Sequence, residues 1–392
     1  MVAVLVRLFG FEDVEVAEDI SSETFLEAIE IWPYKGTPQN PAAWLYSVAK
    51  NKAKNHIRRK ILFTEKIQPA LTAEGNDSLE FNFSDGNIQD SQLQMLFVVC
   101  HPSIPLDAQV CLALRLLCGF GLQEIADALV SNKEAIHKKL QRAKAKLKAT
   151  KMTVQMPPPK ELSARLEGVL KAIYLLFSEG YFSQSNEQVI RTDLCIEAIN
   201  LAYLLLNNPQ TNTHATNALL SLMCFHASRI DARQTEDGEL ILYEDQDEAK
   251  WDTRLIEKGF YYLQQASRWE KISKYYLEAS IAYWHTIKVD SQEKWISILK
   301  LYDALLLIDD APVIKLNRIL AVSKGQGKGQ AVRELEQLNQ TNNHFYWILL
   351  AELYKETAAD KAMESLRQAL IHCKTDKQRN SVRTAIENFK IN

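Results

Sequence analysis

The chain has 392 residues, of which 47% are hydrophobic, and its formal net charge at pH 7 is −3. Glycine (13) and proline (11) are scarce and most long segments repeat apolar residues at helical spacing, which predicts an all-α protein of two or three domains and argues against strand-rich folds. No stretch approaches the roughly 18 apolar residues of a membrane helix and the first residues lack a signal-peptide pattern, so we expect a cytoplasmic protein that does not contact membranes.

Catalytic and metal-binding motifs are missing from the sequence. The six cysteines form no C-x-x-C pair and have no zinc-finger spacing, so we expect buried thiols, no metal and no cofactor. The chain lacks a glycine-rich phosphate loop, an H-E-x-x-H pair and a G-x-S-x-G turn, which argues against an enzyme.

The first 60 residues predict three helices, Val2–Phe9, Ala17–Ile31 and Pro41–Lys60. Residues 12–30 contain eight acidic residues and no basic one, and the second helix has Phe25, Ala28 and Ile29 on one face. Three prolines then predict a non-helical loop over Pro33–Ala43. The third helix ends in "KNKAKNHIRRK", which contains six lysines or arginines and no acid.

Residues 61–95 predict a linker or an extended segment. This stretch is polar, rich in glycine, asparagine and aspartate, and has no helical period. Its charge is opposite to that of the preceding helix end, with six acids and one base. Its acidic residues are Glu65, Glu74, Asp77, Glu80, Asp85 and Asp90.

Residues 96–150 predict a second helical unit that ends in a basic helix. In "GLQEIADALVSNKEAIHKKLQRAKAKL" a short apolar-spaced stretch is followed by a break at Val130–Asn132, and Asn132 is a plausible N-cap for the next helix. That helix repeats apolar residues at Ile136, Leu140, Ala143 and Leu147, while its other faces are rich in lysine. A helix-turn-helix for the DNA major groove and an ordinary hairpin with a solvated charged face both fit this pattern.

The remainder of the chain predicts a helical extension. "MPPP" at 156–159 makes a stiff hinge over 151–160, and from 161 to 392 helical segments follow one another with short breaks, as in an α-solenoid of the tetratricopeptide kind. Three polar clusters interrupt it, namely Glu179–Tyr181, Arg191–Asp193, and Glu244–Asp247 with Trp251. They are either a ligand or partner groove or, the reading we favour, ion pairs and caps of the packed helices.

Together, "AEDISSETFLEAI", "AWLYSVAKNKAKNHIRRK" and the lysine-rich helix pair resemble the sigma-2 and sigma-4 domains of extracytoplasmic-function sigma factors of the sigma-70 family. "PPPKELSARLEGVLKAIYLLFSEGY", "LYEDQDEAKWDTRLIEKG" and "LYDALLLIDDAPVIKLNRILAV" resemble the tetratricopeptide-like extension of one subgroup. The resemblance implies a sigma-2 domain at 1–60, an acidic linker at 61–95, a sigma-4 domain at 96–150, a hinge at 151–160 and the extension at 161–392.

The resemblance implies a factor that directs core RNA polymerase to promoters, with contacts at the β′ clamp and the β flap. The acidic helix would bind the clamp through Asp19, Ser22, Glu23 and Glu27. The acidic linker would occupy the RNA-exit path of the polymerase, although a simple tether fits almost as well.

Promoter DNA is the second implied partner. The melted −10 element would lie against the proline loop and the third helix, where aromatic rings stack on bases and cations hold phosphates. The residues implied there are Tyr34, Lys35, Asn40, Trp44, Asn51, Lys54, Arg58 and Arg59. The −35 element would be read by the basic helix, with base edges facing Lys133, Glu134, His137, Lys138 and Gln141 and phosphates held by Lys139, Arg142 and Lys144.

Two functional hypotheses remain open. One is an extracytoplasmic-function sigma factor whose helical extension regulates it, with a regulatory protein as a possible partner of that extension. The alternative is a tetratricopeptide-type adaptor with a degenerate DNA-binding module at its N-terminus. A test of promoter-specific initiation by the polymerase distinguishes the two hypotheses, because a sigma factor directs such initiation and an adaptor does not.

Overall fold

The computed structural model describes residues 1–67, 84–182, 190–235, 241, 243–268 and 272–391. Across these ranges the regular structure consists of α-helices and short 3-10 helices. This confirms the predicted all-α class. The chain divides into two compact units, of which the first comprises Met1–Phe182 with Arg191–Thr211 and the second contains Asn212–Asn392.

The first unit contains nine of the described helices. They are α1 (Val2–Phe9), α2 (Val14–Lys35), α3 (Pro41–Ile67), α4 (Asp85–Val99), α5 (Leu106–Leu116), α6 (Leu122–Ala128), α7 (Lys133–Ala149), α8 (Pro159–Phe182) and α9 (Thr192–Leu206). Helix α1 is buried through Val4, Leu5 and Val6 and packs against α2 and α4. Helices α4 and α5 supply the centre of the unit, where Leu96, Leu112 and Leu114 are fully buried.

Helix α2 runs further than the sequence predicts, because it continues through Pro33 to Lys35. A proline inside a helix lacks the N–H for one hydrogen bond, and this loss is tolerated in the last turn. The helix ends at Gly36, whose φ of 83° lies in the left-handed region and whose N–H donates to the Trp32 carbonyl at 2.9 Å. The predicted loop over Pro33–Ala43 is therefore wrong in extent, and only residues 36–40 separate α2 from α3.

The predicted linker at 61–95 is also wrong in part, since α3 extends to Ile67 and α4 begins at Asp85. Leu93 and Met95 of α4 are buried, so packing against the other helices offsets the weak helical period of this polar stretch. Glu74, Asp77 and Glu80 lie outside the described residues, as does the side chain of Glu65.

Helices α8 and α9 lie in the first compact unit, although the sequence places them in the extension. Helix α8 packs against α4 and α5, and Arg165 donates a hydrogen bond at 2.5 Å to the Phe97 carbonyl. Gly180 lets α8 approach α9, because a Cβ atom there would lie 2.8 Å from the Arg191 carbonyl. The compact units thus divide the chain later than the predicted hinge at 151–160.

The second unit is a succession of packed helices. They are α10 (His214–Ala227), α11 (Thr253–Ser267), α12 (Lys274–Trp284), α13 (Gln292–Leu306), α14 (Pro312–Gly325), α15 (Lys328–Leu338), α16 (His344–Tyr354), α17 (Ala359–Ile371) and α18 (Asp376–Ile391). Side chains of Asp252, Ser273, Ser291 and Asn343 cap four of them. Neighbours in sequence pack together around buried apolar residues, so this unit is a solenoid-like helical array.

Candidate nucleic-acid and polymerase interfaces

Helix α7 is positioned by local bonds and by its apolar stripe. The Asn132 side chain accepts a hydrogen bond from the Ala135 N–H at 2.7 Å, which confirms the predicted N-cap. Ile136, Leu140, Ala143 and Leu147 are buried as predicted, and α7 packs against α5 and α6. The turn between α6 and α7 includes Val130, whose φ of 45° is unusual for a β-branched residue.

The outward surface of α7 carries most of the residues predicted for the −35 element. Those that are exposed are Lys133, Glu134, His137, Lys138, Gln141 and Arg142. Glu134, Lys138 and Gln141 follow one another at spacings of four and three, so they share the face opposite the buried stripe. The structure therefore brings together one acid, one amide and several cations on an accessible helix surface.

Two of the predicted phosphate-binding lysines already have carboxylate partners. Lys139 Nζ lies 2.6 Å from Asp107 Oδ2 on α5, and this hydrogen bond is the main reason that the pKa of Asp107 is lowered. Lys144 donates to Glu18 of α2, and only 13% of the Lys144 side chain is exposed. In this conformation neither lysine presents a free charge, which differs from the prediction.

Glu18 is shared between two cations. Its second oxygen accepts from Arg115 Nε of α5 at 2.8 Å, and one turn before it Glu15 pairs with Lys148 of α7 at 2.5 Å. Burial raises the pKa of Glu15, but its hydrogen bond with Lys148 outweighs burial and the pKa is lowered. The start of the acidic helix is thus tied to the last turns of the basic helix, a contact that sequence reasoning missed because 126 residues separate Glu18 from Lys144.

Helix α3 carries a second polar face. Trp44, Asn51 and Arg58 are seven residues apart, and Lys54 lies beside them, so all four share one side of the helix. The opposite side is buried through Ala49 and Ala53. Asn51, Lys54, Arg58 and Arg59 are exposed, as are Tyr34 and Lys35 at the end of α2.

Two residues predicted for the −10 element also have structural contacts. Trp44 is half-buried and meets Trp32 edge to face, with ring centroids 5.5 Å apart. Asn40 accepts the Ala43 N–H at 3.0 Å and so caps the start of α3. Tyr34, by contrast, is 91% exposed, which leaves its ring available for stacking.

The outer surface of α2 carries the residues predicted for polymerase binding. Asp19, Ser22 and Glu23 are exposed, whereas Glu27 is half-buried. Lys52 of α3 lies 3.4 Å from Glu23 and 3.2 Å from Glu27. Burial lowers the pKa of Lys52, but both carboxylates offset this and raise it.

Apolar residues lie next to these acids on α2. Phe25, Leu26 and Ile29 are 49%, 57% and 69% exposed, so the face predicted from Phe25, Ala28 and Ile29 is buried only at Ala28. The buried stripe of α2 consists mainly of small residues, among them Ala17, Thr24 and Ala28. Large apolar side chains turned to solvent beside charged ones are typical of protein-binding surfaces, and the sequence signal was an excess of apolar residues around the helix.

Other kinds of site are scarce in the part of the chain that the structure describes. Within the described residues no group of three or more His, Cys, Asp or Glu side chains is arranged to hold a metal ion. All six cysteines are free thiols and five of them are buried, as expected. In the described part of the chain no helix is long and apolar enough to cross a bilayer.

Two parts of the chain match known protein families. Residues 1–61, which hold α1, α2 and most of α3, match sigma-70 region 2. Residues 165–267 match the family of unknown function DUF6596. The chain is 32% identical over 342 residues to an uncharacterized protein of Rhizobium meliloti (strain 1021), which covers 86% of this chain and 81% of that protein. No solved structure matches the chain.

The match to sigma-70 region 2 marks the chain as a transcription initiation factor, and the described residues have the helical structure expected of one. The chain belongs to the sigma-70 family of RNA polymerase sigma factors, and its residues 165–267 add a region of the DUF6596 family. Membership implies partnership with core RNA polymerase and promoter DNA.

Proposed function

We propose that the chain is an extracytoplasmic-function sigma factor that directs cytoplasmic core RNA polymerase to specific promoters. The observation that carries this proposal is the exposed face of α3 that contains Asn51 and Arg58, together with the exposed ring of Tyr34 at the end of α2, all within the region-2 match. An accessible aromatic ring, an amide and several cations are the groups that unstacked DNA requires.

The −10 element is assigned to this face. Tyr34 offers a free ring for stacking on a melted base, and Asn51 offers an amide for hydrogen bonds to its edge. Lys35 on α2 and Lys54, Arg58 and Arg59 on α3 are also exposed and suit contacts with phosphates. Trp44 and Asn40 contribute by holding the start of α3 in place.

The −35 element is assigned to α6 and α7 acting as a helix-turn-helix. Lysine can donate to guanine and glutamate can accept from cytosine, so Lys138 and Glu134 suit base readout in the major groove. His137 and Gln141 lie on the same exposed surface, and Lys133 and Arg142 flank it. Lys139 and Lys144 reach phosphates only after leaving Asp107 and Glu18.

The β′ clamp is assigned to the outer surface of α2. Asp19, Ser22 and Glu23 give it a negative charge, and Leu26 and Ile29 add exposed apolar area. A mixed surface of this kind suits a stable protein contact better than the acids alone. The contact with the β flap is assigned to the helices of the sigma-4 domain at 96–150.

The helices beyond α7 are assigned a regulatory role in cis. Helix α8 packs on α4 and α5 and α9 packs on α4, so the first two helices of the extension belong to the same compact unit as α7. The second unit, which is solenoid-like, suits a regulatory protein as its partner.

Run-off transcription tests the proposal directly. The full chain is added to core RNA polymerase and offered a library of promoter sequences at several salt concentrations, with an Asn51→Ala and an Asn55→Ala variant as a matched pair on α3. We expect specific starts that Asn51→Ala reduces and Asn55→Ala leaves unchanged. Absence of any specific start would instead favour the adaptor, which binds proteins without directing initiation.

A further inference from the structure

The second unit contains a cluster of basic and aromatic side chains that the sigma assignment does not use. Arg229 follows α10, Tyr243 and Trp251 precede α11, His285 follows α12, and Lys294 lies in the first turn of α13. Tyr243 is at the centre of this basic-aromatic cluster. The guanidinium carbon of Arg229 and the ammonium nitrogen of Lys294 lie 5.5 and 5.4 Å from its ring centroid, and the His285 ring lies 5.2 Å away.

The cluster has an excess of buried positive charge. Lys294 is 1% exposed and Arg229 is 7% exposed. In the part of the chain that the structure describes, neither side chain lies within ion-pair distance of a carboxylate. Glu293, the residue before Lys294, is exposed, and the nearby Asp290 accepts instead from the indole N–H of Trp295. Buried charges in proteins are normally paired with an opposite charge or bound to a ligand.

The same cluster contains hydrogen-bonding atoms without a partner. Among the described residues these are Nε of Arg229 and Nε1 of Trp251, both buried. Oε1 of the buried Gln246 is a third, and the backbone N–H of this residue donates to the Tyr243 carbonyl. Lys294 Nζ donates to the Ile287 carbonyl at 2.5 Å and to the Tyr243 hydroxyl at 3.1 Å, and an ammonium group has a third hydrogen. Most of the groups without a partner are hydrogen-bond donors, so a ligand that satisfies them must supply acceptor atoms.

Stacking of the cations on aromatic rings does not account for this arrangement. A cation over an aromatic ring gains less free energy than the burial of an unpaired ion costs. Arg229 and Lys294 both lie over the Tyr243 ring. Because their like charges repel each other, the cation–π attraction of each to this ring is partly offset. The face of an aromatic ring also does not accept the in-plane N–H groups of Arg229 and Trp251, so these donors stay without a hydrogen-bond partner.

We propose that the basic-aromatic cluster is a binding site for the oxyanion of a small ligand, a carboxylate or a phosphate group. The anion would accept hydrogen bonds from Arg229, Lys294 and the Trp251 indole, while Gln246 accepts from a neighbouring hydroxyl or amide of the ligand. Arg229 and Trp251 suit one shared ligand because the guanidinium carbon lies 6.0 Å from the Trp251 ring centroid. The site is independent of promoter recognition, since it uses no residue of α1 to α7.

Thermal unfolding of the full chain with two probe anions tests the site. Sodium phosphate and sodium acetate are each titrated to tens of millimolar against sodium chloride of equal ionic strength, and the two arms separate a phosphate site from a carboxylate site. We expect at least one anion to raise the melting temperature in a saturable way, by about 2–4 °C. In parallel, the indole N–H resonance of Trp251, assigned through Trp251→Phe, should move with the same concentration dependence.

A matched pair of variants on α13 supplies the control. Lys294→Met removes the buried charge, so we expect no response to either anion and an unchanged or higher melting temperature without ligand. Lys300→Met removes an exposed lysine from the same helix and should respond as the unaltered chain does. Arg229→Gln repeats the test if Lys294→Met does not fold. A chain that neither anion stabilises beyond chloride, or equal stabilisation of Lys294→Met and Lys300→Met, overturns the proposal.

Discussion

Glu18 and Lys144 form a largely buried ion pair that joins the acidic helix α2 to the basic helix α7, with 11% and 13% of their side chains exposed. Arg115 contacts the same carboxylate, so one acid balances two cations. A lysine predicted to hold DNA phosphate therefore serves first as a link inside the protein. The strength of this link is open to measurement.

Glu18→Gln should destabilise the first compact unit. The substitution leaves Arg115 and Lys144 close together without a counter-charge, at a cost of about 1–3 kcal/mol. Urea unfolding measures this change. Glu23→Gln is the control on the same helix, because Glu23 is 60% exposed and its pair with Lys52 should contribute less than about 0.5 kcal/mol. Equal effects of the two variants would contradict the importance assigned to Glu18.

Substitutions on α7 should separate base readout from phosphate binding. His137→Ala and Lys138→Ala should change the preferred bases at −35 positions, by about 1–3 kcal/mol for each lost contact. Arg142→Ala should weaken all sequences alike and reduce the salt dependence of binding by about one charge. Binding to a randomised −35 library distinguishes the outcomes. If His137→Ala gives the same uniform loss as Arg142→Ala, the orientation of α7 in the groove is wrong.

Tyr34→Ala should weaken complexes with melted promoter DNA while leaving folding unchanged. The Tyr34 ring is 91% exposed, so its removal costs no packing, whereas a lost base stack costs about 1–3 kcal/mol. Lifetimes of open complexes measure the effect. Tyr261→Ala is the matched control, since it removes a 55% exposed ring from the second unit. Unchanged lifetimes for Tyr34→Ala would remove that ring from the −10 assignment.

Two truncations should behave differently because α8 and α9 belong to the first compact unit. A chain ending at Thr150 lacks α8 and exposes apolar side chains of α4 and α5, so it should lose about 3 kcal/mol or more of stability. A chain ending at Thr211 keeps that unit whole and should unfold cooperatively. Thermal unfolding compares the two chains.

The shorter stable chain also tests the regulatory role. If the second unit controls initiation, the chain ending at Thr211 should differ from the full chain in run-off transcription, at equal protein concentration and on the same promoter. Equal activity of both, with purified polymerase and in cells, would show that the second unit is a separate binding module.

Local features were predictable from the sequence. The N-cap at Asn132 and the stripe from Ile136 to Leu147 follow from hydrogen bonds and periodicity within one helix, and both are present. The bounds of α2 were less predictable, because a proline in the last turn costs a single bond and does not end the helix.

Tertiary features were not predictable in the same way. Periodicity finds an apolar face but does not say which face the rest of the protein covers, and in α2 the small residues are buried while Phe25 and Ile29 are exposed. The pairing of Glu18 with Lys144 depends on how distant helices pack. The same holds for the placement of Arg229 and Lys294 over the Tyr243 ring. A charge count assigns such residues to solvent or to DNA, because it has no information about partners far along the chain.

The stability of the second unit should fall as pH decreases from 7.5 to 5.0, with His285 as one cause. Burial, and then the charges of Arg229 and Lys294, lower the pKa of His285 to about 3. In the unfolded chain this histidine takes up a proton below about pH 6.5, whereas in the folded chain it stays neutral until pH approaches 3. Unfolding therefore binds a proton in this window, and the free energy of unfolding falls by about 2 kcal/mol by pH 5.0.

Urea unfolding of the full chain in bis-tris and acetate-free buffers measures this dependence on pH. His285→Gln removes the titrating group, so its free energy of unfolding should change less between pH 7.5 and 5.0, whatever its value at pH 7.5. His137→Ala is the control, because it removes an exposed histidine from α7 and should leave the pH dependence of the second unit unchanged. The same slope in His285→Gln as in the unaltered chain would show that His285 binds its proton equally well in the folded and unfolded states, because only a group with different proton affinities in the two states contributes to the slope.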